Sequence, residues 1–503
     1  MHNCAGYEST TYTDVADSPK DRFRRAVQMI AALLSLMALI AVTCFVYAPV
    51  QGKTLSGELT RKIPQVPAAA HRSVSAELTF PDPKETNVSS CSGLQSSPKT
   101  GLLTSRKSNS GGNGRIVSVL AGNGFTVGLR DNGRVVYAGD NSAVRAALAG
   151  WDNIERIELT EGLASYIIGY GRDGSISLSS PFTAWHQYSY LVHWTESDFA
   201  SWRNIKKLYV GGSFSIGLCN DGSILFMAKG EKKQNELDEL RNTVSRWKDI
   251  KELYVDWSPL IVALKTDGTI ITNDEKSLSG RYNYLGGQWT GPETWNNVDH
   301  LADCNVGPYA IKTDGTVLGI DLPGWTGIRA VYFGDQAMYG LRHDGTVIAD
   351  FHGGISNSSR VKEVSTWRNI VQLGFDRNGY ARDIPVGLCA DGSVKAVTYD
   401  RDYEHPFGEW NVSGWSDVET IYSGAYYTVG LKKDGSVLAT GGERGTAAFV
   451  SRVVDWKGID QMIFSDNEYI TDAHVIGIRT DGTVVAAGCN DHGQCNVEGF
   501  NLA

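Results

Sequence analysis

An all-β fold is predicted for this 503-residue chain by three features: a strand, turn, strand pattern that returns nine times, with Asp-Gly at eight of the turns and Asn-Gly at the first, a Trp-x-x-[Ile/Val] motif ahead of eight of those turns, and 56 glycines against 14 prolines. Repetition on this scale decides an architecture before any single propensity does. The predicted architecture is a single β-propeller of seven to nine blades from about nine repeats, preceded by one transmembrane α-helix and a flexible stalk. The expected boundaries are 1–25 for a cytoplasmic N-terminal tail, 26–48 for the membrane helix, 49–113 for the stalk and 114–503 for the repeat domain.

The membrane helix rests on Ala26–Ala48, which runs 23 residues without a charge. At about 1.5 Å per helical residue it reaches across a hydrocarbon core of roughly 30 Å. Lys20, Arg22, Arg24 and Arg25 precede it. This basic cluster holds the N-terminus in the cytoplasm and puts the rest outside, as a single-pass signal-anchor protein of the cell surface. A cleaved signal peptide has an apolar region of only about 7–15 residues. The candidate cleavage site Val46-Tyr47-Ala48 is also followed by Pro49, so an uncleaved anchor is expected. From Gln51 to Asn113 the chain is rich in Ser, Thr, Lys, Pro and Gly with no sustained period, which reads as a stalk.

In the repeats, Gly133, Gly174, Gly222, Gly268, Gly315, Gly345, Gly392, Gly435 and Gly482 mark the turns. Asp-Gly suits a type I′ turn, whose two central residues need positive φ. The flanks alternate Val, Ile and Leu with small or polar residues, so each copy is a β-hairpin. Trp151, Trp202, Trp247, Trp295, Trp325, Trp367, Trp415 and Trp456 stand 20 to 26 residues before the last eight turn glycines. The apolar residue three places after each Trp opens a third strand. A fourth is expected at Gly493–Val497, Gly408–Val412 and Gly287–Thr290. Turn glycines recur at 41, 48, 46, 47, 30, 47, 43 and 47 residues, a spacing that suits a three- or four-stranded blade.

Trp-x-[Asn/Asp]-Ile, Gly-Leu-x-x-Asp-Gly-[Thr/Ser]-Val and the terminal Gly-Cys-Asn-Asp-His-Gly-Gln-Cys-Asn-Val together resemble the regulator-of-chromosome-condensation propeller repeat in its short bacterial form, over about residues 114–500. The resemblance implies a ring, typically of seven blades, against nine units counted here. The first unit has Asn113 where the others carry Trp, and Phe500 occupies the next expected Trp position. Phe500 is therefore expected to fill the empty slot, with the C-terminal strand pairing into the first blade and removing exposed edges.

Chemical motifs are sparse. Gly169-Tyr-Gly-Arg-Asp-Gly174 fits G-x-G-x-x-G but lies on a hairpin, where turn chemistry explains it. Cys489, His492 and Cys495 offer only three metal ligands, so loop cysteines or a local disulfide are expected and no metal or other cofactor. Cys219 and Cys389 share a column of different units and are expected as separate thiols. Arg130, Lys265, Lys312, Arg342, Lys432 and Arg479 fill that column elsewhere, beside turn aspartates that compensate them. The whole chain carries −9 and residues 114–503 carry 35 Lys+Arg against 48 Asp+Glu, which opposes nucleic-acid binding. Aromatic insertions supply the candidate contact residues: Trp185, Tyr188, Tyr190 and Trp194; Tyr282 and Tyr284; Tyr399, Tyr403 and Phe407. Asn87, Asn357 and Asn411 begin Asn-x-Ser sequons.

These observations favour a non-enzymatic, membrane-anchored scaffold that presents loops to a protein or glycan partner. An enzyme with its site at the propeller axis is the second reading, for which no nucleophile-elbow, zincin or phosphate-loop motif is present. Family resemblance implies a third, a regulator of the guanine-nucleotide-exchange type, and both the anchor and the acidic ring count against it. The sequence does not specify an oligomeric state.

Overall fold

The computed structural model describes residues 101–102, 114–160, 164–180, 183–184, 193–229, 234–255, 260–273, 295–304, 307–320, 322, 324–333, 337–351, 359–376, 384–397, 408–424, 426–442, 447–465 and 473–501. The chain divides into two compact units, Met1–Asp82 and Pro83–Ala503, and all described residues belong to the second. Ala26–Ala48 lies outside them. Among the described residues no helix is long and apolar enough to cross a membrane.

Nine antiparallel sheets that resemble propeller blades follow one another along the described chain. The first comprises β1 (Gly101–Leu102), β2 (Ile116–Gly122), β3 (Phe125–Arg130) and β4 (Val135–Gly139), in that spatial order. The other eight are three-stranded meanders whose first strands are Ile154–Leu159, Ile205–Val210, Ile250–Val255, Val298–Cys304, Ile328–Phe333, Ile370–Asp376, Val418–Gly424 and Ile459–Phe464. β1 comes from the segment read as stalk, so the ordered sheet begins before residue 114.

Apolar alternation along the strands buries both faces of each sheet. The result is a series of inter-sheet clusters rather than one central core. Phe214, Ile216 and Leu218 of the third sheet, for example, meet Ile250, Leu253 and Ile261 of the fourth. Every junction from first–second to eighth–ninth has such a cluster, and a ninth joins Ile116 and Val119 of the first sheet to Ile463, Ile476 and Ile478 of the last. First strands lie beside first strands, and side chains tie them together. Arg156 Nη2 donates to Lys206 O at 2.6 Å, Lys206 Nζ to Lys251 O at 2.8 Å, and Gln372 Nε2 to Ile421 O at 2.8 Å.

The repeat motif has a specific packing reason. Six of the eight Trp lie over a glycine in the middle strand of their own sheet; behind Trp247 and Trp295 that position is Ala263 and Ala310. A Cβ at Gly217, Gly340, Gly387 or Gly477 would come within 2.7–2.8 Å of the indole of Trp202, Trp325, Trp367 or Trp456. Trp151 and Trp415 cover Gly169 and Gly430 in the same way. In the first sheet the covering ring is Phe500, 2.9 Å from the position of a Gly128 Cβ. The expected aromatic replacement is therefore present. The expected strand is not: Phe500 ends a short 3-10 turn, Glu498–Phe500, and no C-terminal strand pairs with the first sheet among the described residues. The contacts between the C-terminal segment and the first sheet are made by side chains and backbone caps. Thr126 Oγ1 donates to Gln494 O at 2.8 Å, Arg130 Nη2 donates to Gly499 O at 3.1 Å, and His492 Nδ1 meets Asp140 Oδ2 at 2.8 Å.

Two further expectations are corrected. The turns are not type I′, because among the turn residues only the glycine has positive φ, between 76° and 87°. Each is a type I turn with a left-handed glycine after it, as in Gly268 N to Lys265 O at 3.0 Å followed by Lys265 N to Thr269 O at 2.9 Å. The contact common to all nine turns is the N–H two residues after the Asp or Asn, accepted by that side chain, and in eight of them that residue is a Ser or Thr. Asp267 Oδ1 accepts both Thr269 N at 2.9 Å and Thr269 Oγ1 at 2.5 Å, which holds the aspartate at negative φ. The fourth strands at Gly408–Val412 and Gly493–Val497 are instead tight turns that bury Val412 and Val497; Gly287–Thr290 lies outside the described residues. Short helices occupy other inter-sheet connections: α1 (Ser142–Leu148), α2 (Gln234–Val244), α3 (Ser359–Val364) and α4 (Ala447–Val453).

Candidate functional site

The two ends of the sheets differ, and that difference locates the candidate site. At one end lie the Asp-Gly turns and the Trp-x-x-Ile entries. The chain there is stapled from sheet to sheet: the carbonyl of each of the first eight turn glycines accepts an N–H from the next unit's entry at 2.9–3.2 Å, as in Ile250 N to Gly222 O at 3.0 Å. Charges at this end are largely compensated. Lys265 lies 3.4 Å from Asp267, Lys312 3.9 Å from Asp314 and Lys432 3.9 Å from Asp417. Arg130 is buried, its guanidinium capping Gly114 O and Gly499 O. Cys219 and Cys389 are buried free thiols in different sheets. An open cleft of about 530 Å³ at this end is lined by Arg130, Arg134, Trp151 and Asp152 among others, without a nucleophile and base in it.

The turn carboxylates make a pH prediction. Asp173, Asp221, Asp267, Asp314, Asp344, Asp391, Asp434 and Asp481 are all held below the usual carboxylate range, first by the Ser or Thr hydroxyl and then by the N–H two residues on. A folded value below the unfolded value of about 3.9 contributes stability that is complete above that pH. That contribution is lost as pH falls through the depressed folded values. Melting temperature should therefore drop below about pH 4. The slope should flatten when Asp173, Asp221, Asp391 and Asp434 are all changed to Asn, because an amide oxygen keeps the turn without titrating. Asn132 already does this, accepting Arg134 N at 3.0 Å. An unchanged acid slope in the quadruple variant would remove the turns from the account.

At the other end the connections are long and unlike one another. Two of the aromatic insertions leave and return there. The stem of 181–192 is anchored by Thr183–Ala184, which pairs with Ala164–Ser165 in the loop after the second sheet's first strand. Beyond the insertion, Trp194 N donates to Tyr166 Oη at 3.1 Å, and its indole Nε1 donates to Gly211 O at 2.7 Å. Lys229 Nζ clamps the same stem, bonding His193 O at 2.9 Å and Asp198 Oδ2 at 2.8 Å. For the segment 398–407, the returning Gly408 O accepts Thr440 Oγ1 at 2.8 Å, beside the end of the eighth sheet.

Trp194 is thus corrected from contact residue to anchor. It is 2 % exposed and packs 5.6 Å from Phe199, which in turn packs 5.1 Å from Trp202. The other candidates, Trp185, Tyr188, Tyr190, Tyr282, Tyr284, Tyr399, Tyr403 and Phe407, lie outside the described residues. The chain leaves for the 274–294 insertion at Asn273, whose Oδ1 accepts Ile261 N at 2.6 Å, and returns at Trp295. Sequence reasoning missed the clamp of Lys229 and Asp198, since neither belongs to the repeat motif. A visible signal was Thr195-x-x-Asp198, a capping pattern just after an aromatic insertion.

Cys489, His492 and Cys495 do not converge on a metal. Among the described residues no group of three His, Cys, Asp or Glu side chains could hold one. His492 instead faces Asp140, and Cys495 Sγ lies 3.2 Å from Cys489 O. Burial, with Cys489 nearby, pushes the Cys495 thiol up to about 11. Cys489 and Cys495 are not joined in a disulfide. Gly169–Gly174 sits on the second sheet's hairpin, with Gly169 beneath Trp151 and Gly174 in the turn at φ 77°.

No family model matches this chain, and no curated protein matches it. Among solved structures it is similar to the computationally designed Ika8 protein, at 15% identity over 66% of this chain and 98% of that one, with a TM-score of 0.33. The CRINKLY WD40 ectodomain of the Arabidopsis thaliana receptor kinase ACR4 matches at 15% identity over 65% and 96%, with a TM-score of 0.30. The complex of Kap60 with yeast RCC1 (Prp20) matches at 12% identity over 74% and 80%, with a TM-score of 0.27. At scores this low the blade-like sheets stand on their own hydrogen bonds and clusters, not on these likenesses.

Proposed function

We propose that this chain is a membrane-anchored, non-enzymatic scaffold whose nine sheets close into a single propeller outside the cell and bind a protein partner through the end with long connections. The observation that carries the reading is the contrast between the two ends. One end spends its residues on near-identical stapled turns, while the other clamps the stems of unlike aromatic insertions. A rigid frame with diverse loops lowers the ordering cost of binding. Nine inter-sheet clusters, including the one between the last sheet and the first, support closure into a ring. The anchor rests on the uncharged run Ala26–Ala48 and the basic cluster before it. Residues 114–503 carry 13 more acidic than basic side chains, so the partner's contact surface should be cationic and capture should weaken with salt.

The test replaces insertions 181–192 and 398–407 with short Gly-Ser links in the full-length, surface-displayed chain. Saturable partner capture should be lost, while Asp267→Asn at the turn end should leave it intact. A glycan as the retained ligand would change the partner class. Turnover of a substrate at undiminished rate in the shortened chain would overturn the scaffold reading. Protease shaving of intact cells checks topology: a repeat domain protected until lysis would place it inside.

A further inference from the structure

We propose that the free edge of β2 is a strand-acceptor site and that the chain fills it itself, with the segment at Gly101–Leu102 adding to the first sheet from the side of the ring axis. Two independent observations point there. The first is register: Gly101 lies opposite Val119 and Leu102 opposite Ser118, on the edge of β2 away from β3. That edge faces the neighbouring first strands, and β1 also touches the ninth sheet's first strand, Ile459–Phe464.

The second is the composition of β2. The two positions after the opening Ile or Val are charged or polar in most first strands, as in Glu155-Arg156, Lys206-Lys207, Lys251-Glu252 and Asp299-His300. Charged side chains on an edge strand deter another strand from pairing. In β2 these positions are Val117 and Ser118, and the strand Ile116–Gly122 holds no charge. Six of its seven residues are buried, whereas the third sheet's first strand leaves Lys206 and Lys207 exposed. The seventh sheet's first strand, Ile370–Asp376, also has uncharged Val371 and Gln372 at these positions but ends on Asp376, so β2 alone of the nine first strands holds no charge, and among the described residues it is the one that carries an added strand. Because the pair is antiparallel, Gly101 lies nearer than Leu102 to the Gly122 end of β2, the end of the long connections. β1 thus takes up space beside the first strands that an axial ligand would need.

The experiment uses the full chain with paired cysteines. Residues directly opposite in an antiparallel pair have Cα atoms about 4.5–5.5 Å apart, within disulfide range. Leu102→Cys with Ser118→Cys should cross-link under oxidised glutathione, read by peptide mass mapping without reductant. Leu102→Cys with Gln372→Cys, on the seventh sheet's first strand, should not. Equal yields from both pairs, or a cross-link only in the second, would overturn the proposal. Independently, Leu102→Pro removes an N–H and breaks the added strand. Amide exchange across residues 116–122 should then rise at least tenfold, with residues 328–333 unaffected. Exchange at wild-type rates in a folded variant would count equally against the site.

Discussion

Phe500→Ala is expected to destabilise the repeat domain by about 3–5 kcal/mol, the range for deleting a buried phenylalanine side chain. Phe500 is 4 % exposed and belongs to the cluster of Ile116, Val119, Ile463, Ile476 and Val497, which joins the last sheet to the first. Its ring also roofs Gly128, so alanine opens a cavity over a backbone that has no side chain to collapse into it. No second Phe or Trp backs it up, because Asn113 stands where the first unit would carry its own Trp. Denaturant unfolding of the full chain measures the loss. Phe500→Trp restores the residue found in the other eight units and should cost less than about 1.5 kcal/mol, as shape-compatible apolar exchanges do. Removing residues 490–503 should do more harm than Phe500→Ala, because it also takes away Gln494 O, Gly499 O and Asn501, which cap Thr126, Arg130 and Val484. A loss below about 1 kcal/mol for Phe500→Ala would mean that the first and last sheets are held together by something else.

That Phe500 could be matched to an empty Trp slot from the sequence alone shows where repetition makes a chain legible. Each Trp, turn glycine and mid-strand glycine occurs many times, so a local signal too weak alone is read from the column. The turn type escaped because Asp-Gly admits two solutions, and the choice lies with the N–H two residues on, which the Asp or Asn side chain accepts and which holds that residue at negative φ. Gly-x-x-Asn-Val looked like a strand because Val alternates with polar neighbours; the Asn411 N to Gly408 O bond at 2.9 Å makes it a turn instead. Trp194 sits in an aromatic-rich insertion, and its burial depends on Tyr166, Phe199 and Gly211, none of which its neighbours in sequence reveal. β1 itself left no signal, since two residues of backbone pairing require no particular side chains, and the one sign of it lies in the uncharged strand Ile116–Gly122 that it joins. The candidate site was legible only as an end of the fold. Its stem contacts, Lys229 with Asp198 and Thr440 with Gly408, join residues 31 and 32 positions apart.

Gly315→Ala is expected to cost about 2–5 kcal/mol, combining the left-handed penalty of roughly 1–2 with the overpacking penalty of roughly 1–3. Gly315 has φ +77°, and a Cβ there would stand 2.3 Å from Ile328 N and 2.5 Å from Gly327 Cα. Those atoms are backbone, so no rotamer change relieves the clash. The two strands must separate, and the staple from Ile328 N to Gly315 O at 2.9 Å goes with them. Gly315 also sits at the tightest junction of the series, with the next turn glycine only 30 residues on, which leaves little connection to absorb a shift. Gly150→Ala is the matched control: a Cβ there meets nothing within 4 Å, and its stability should stay within about 0.5 kcal/mol of wild type. Chemical denaturation of both variants gives the comparison. If Gly315→Ala were as stable as Gly150→Ala, the turn-to-entry staples would be a consequence of sheet packing rather than a contributor to it. The rigidity assigned to the turn end would then have to come from the apolar clusters alone.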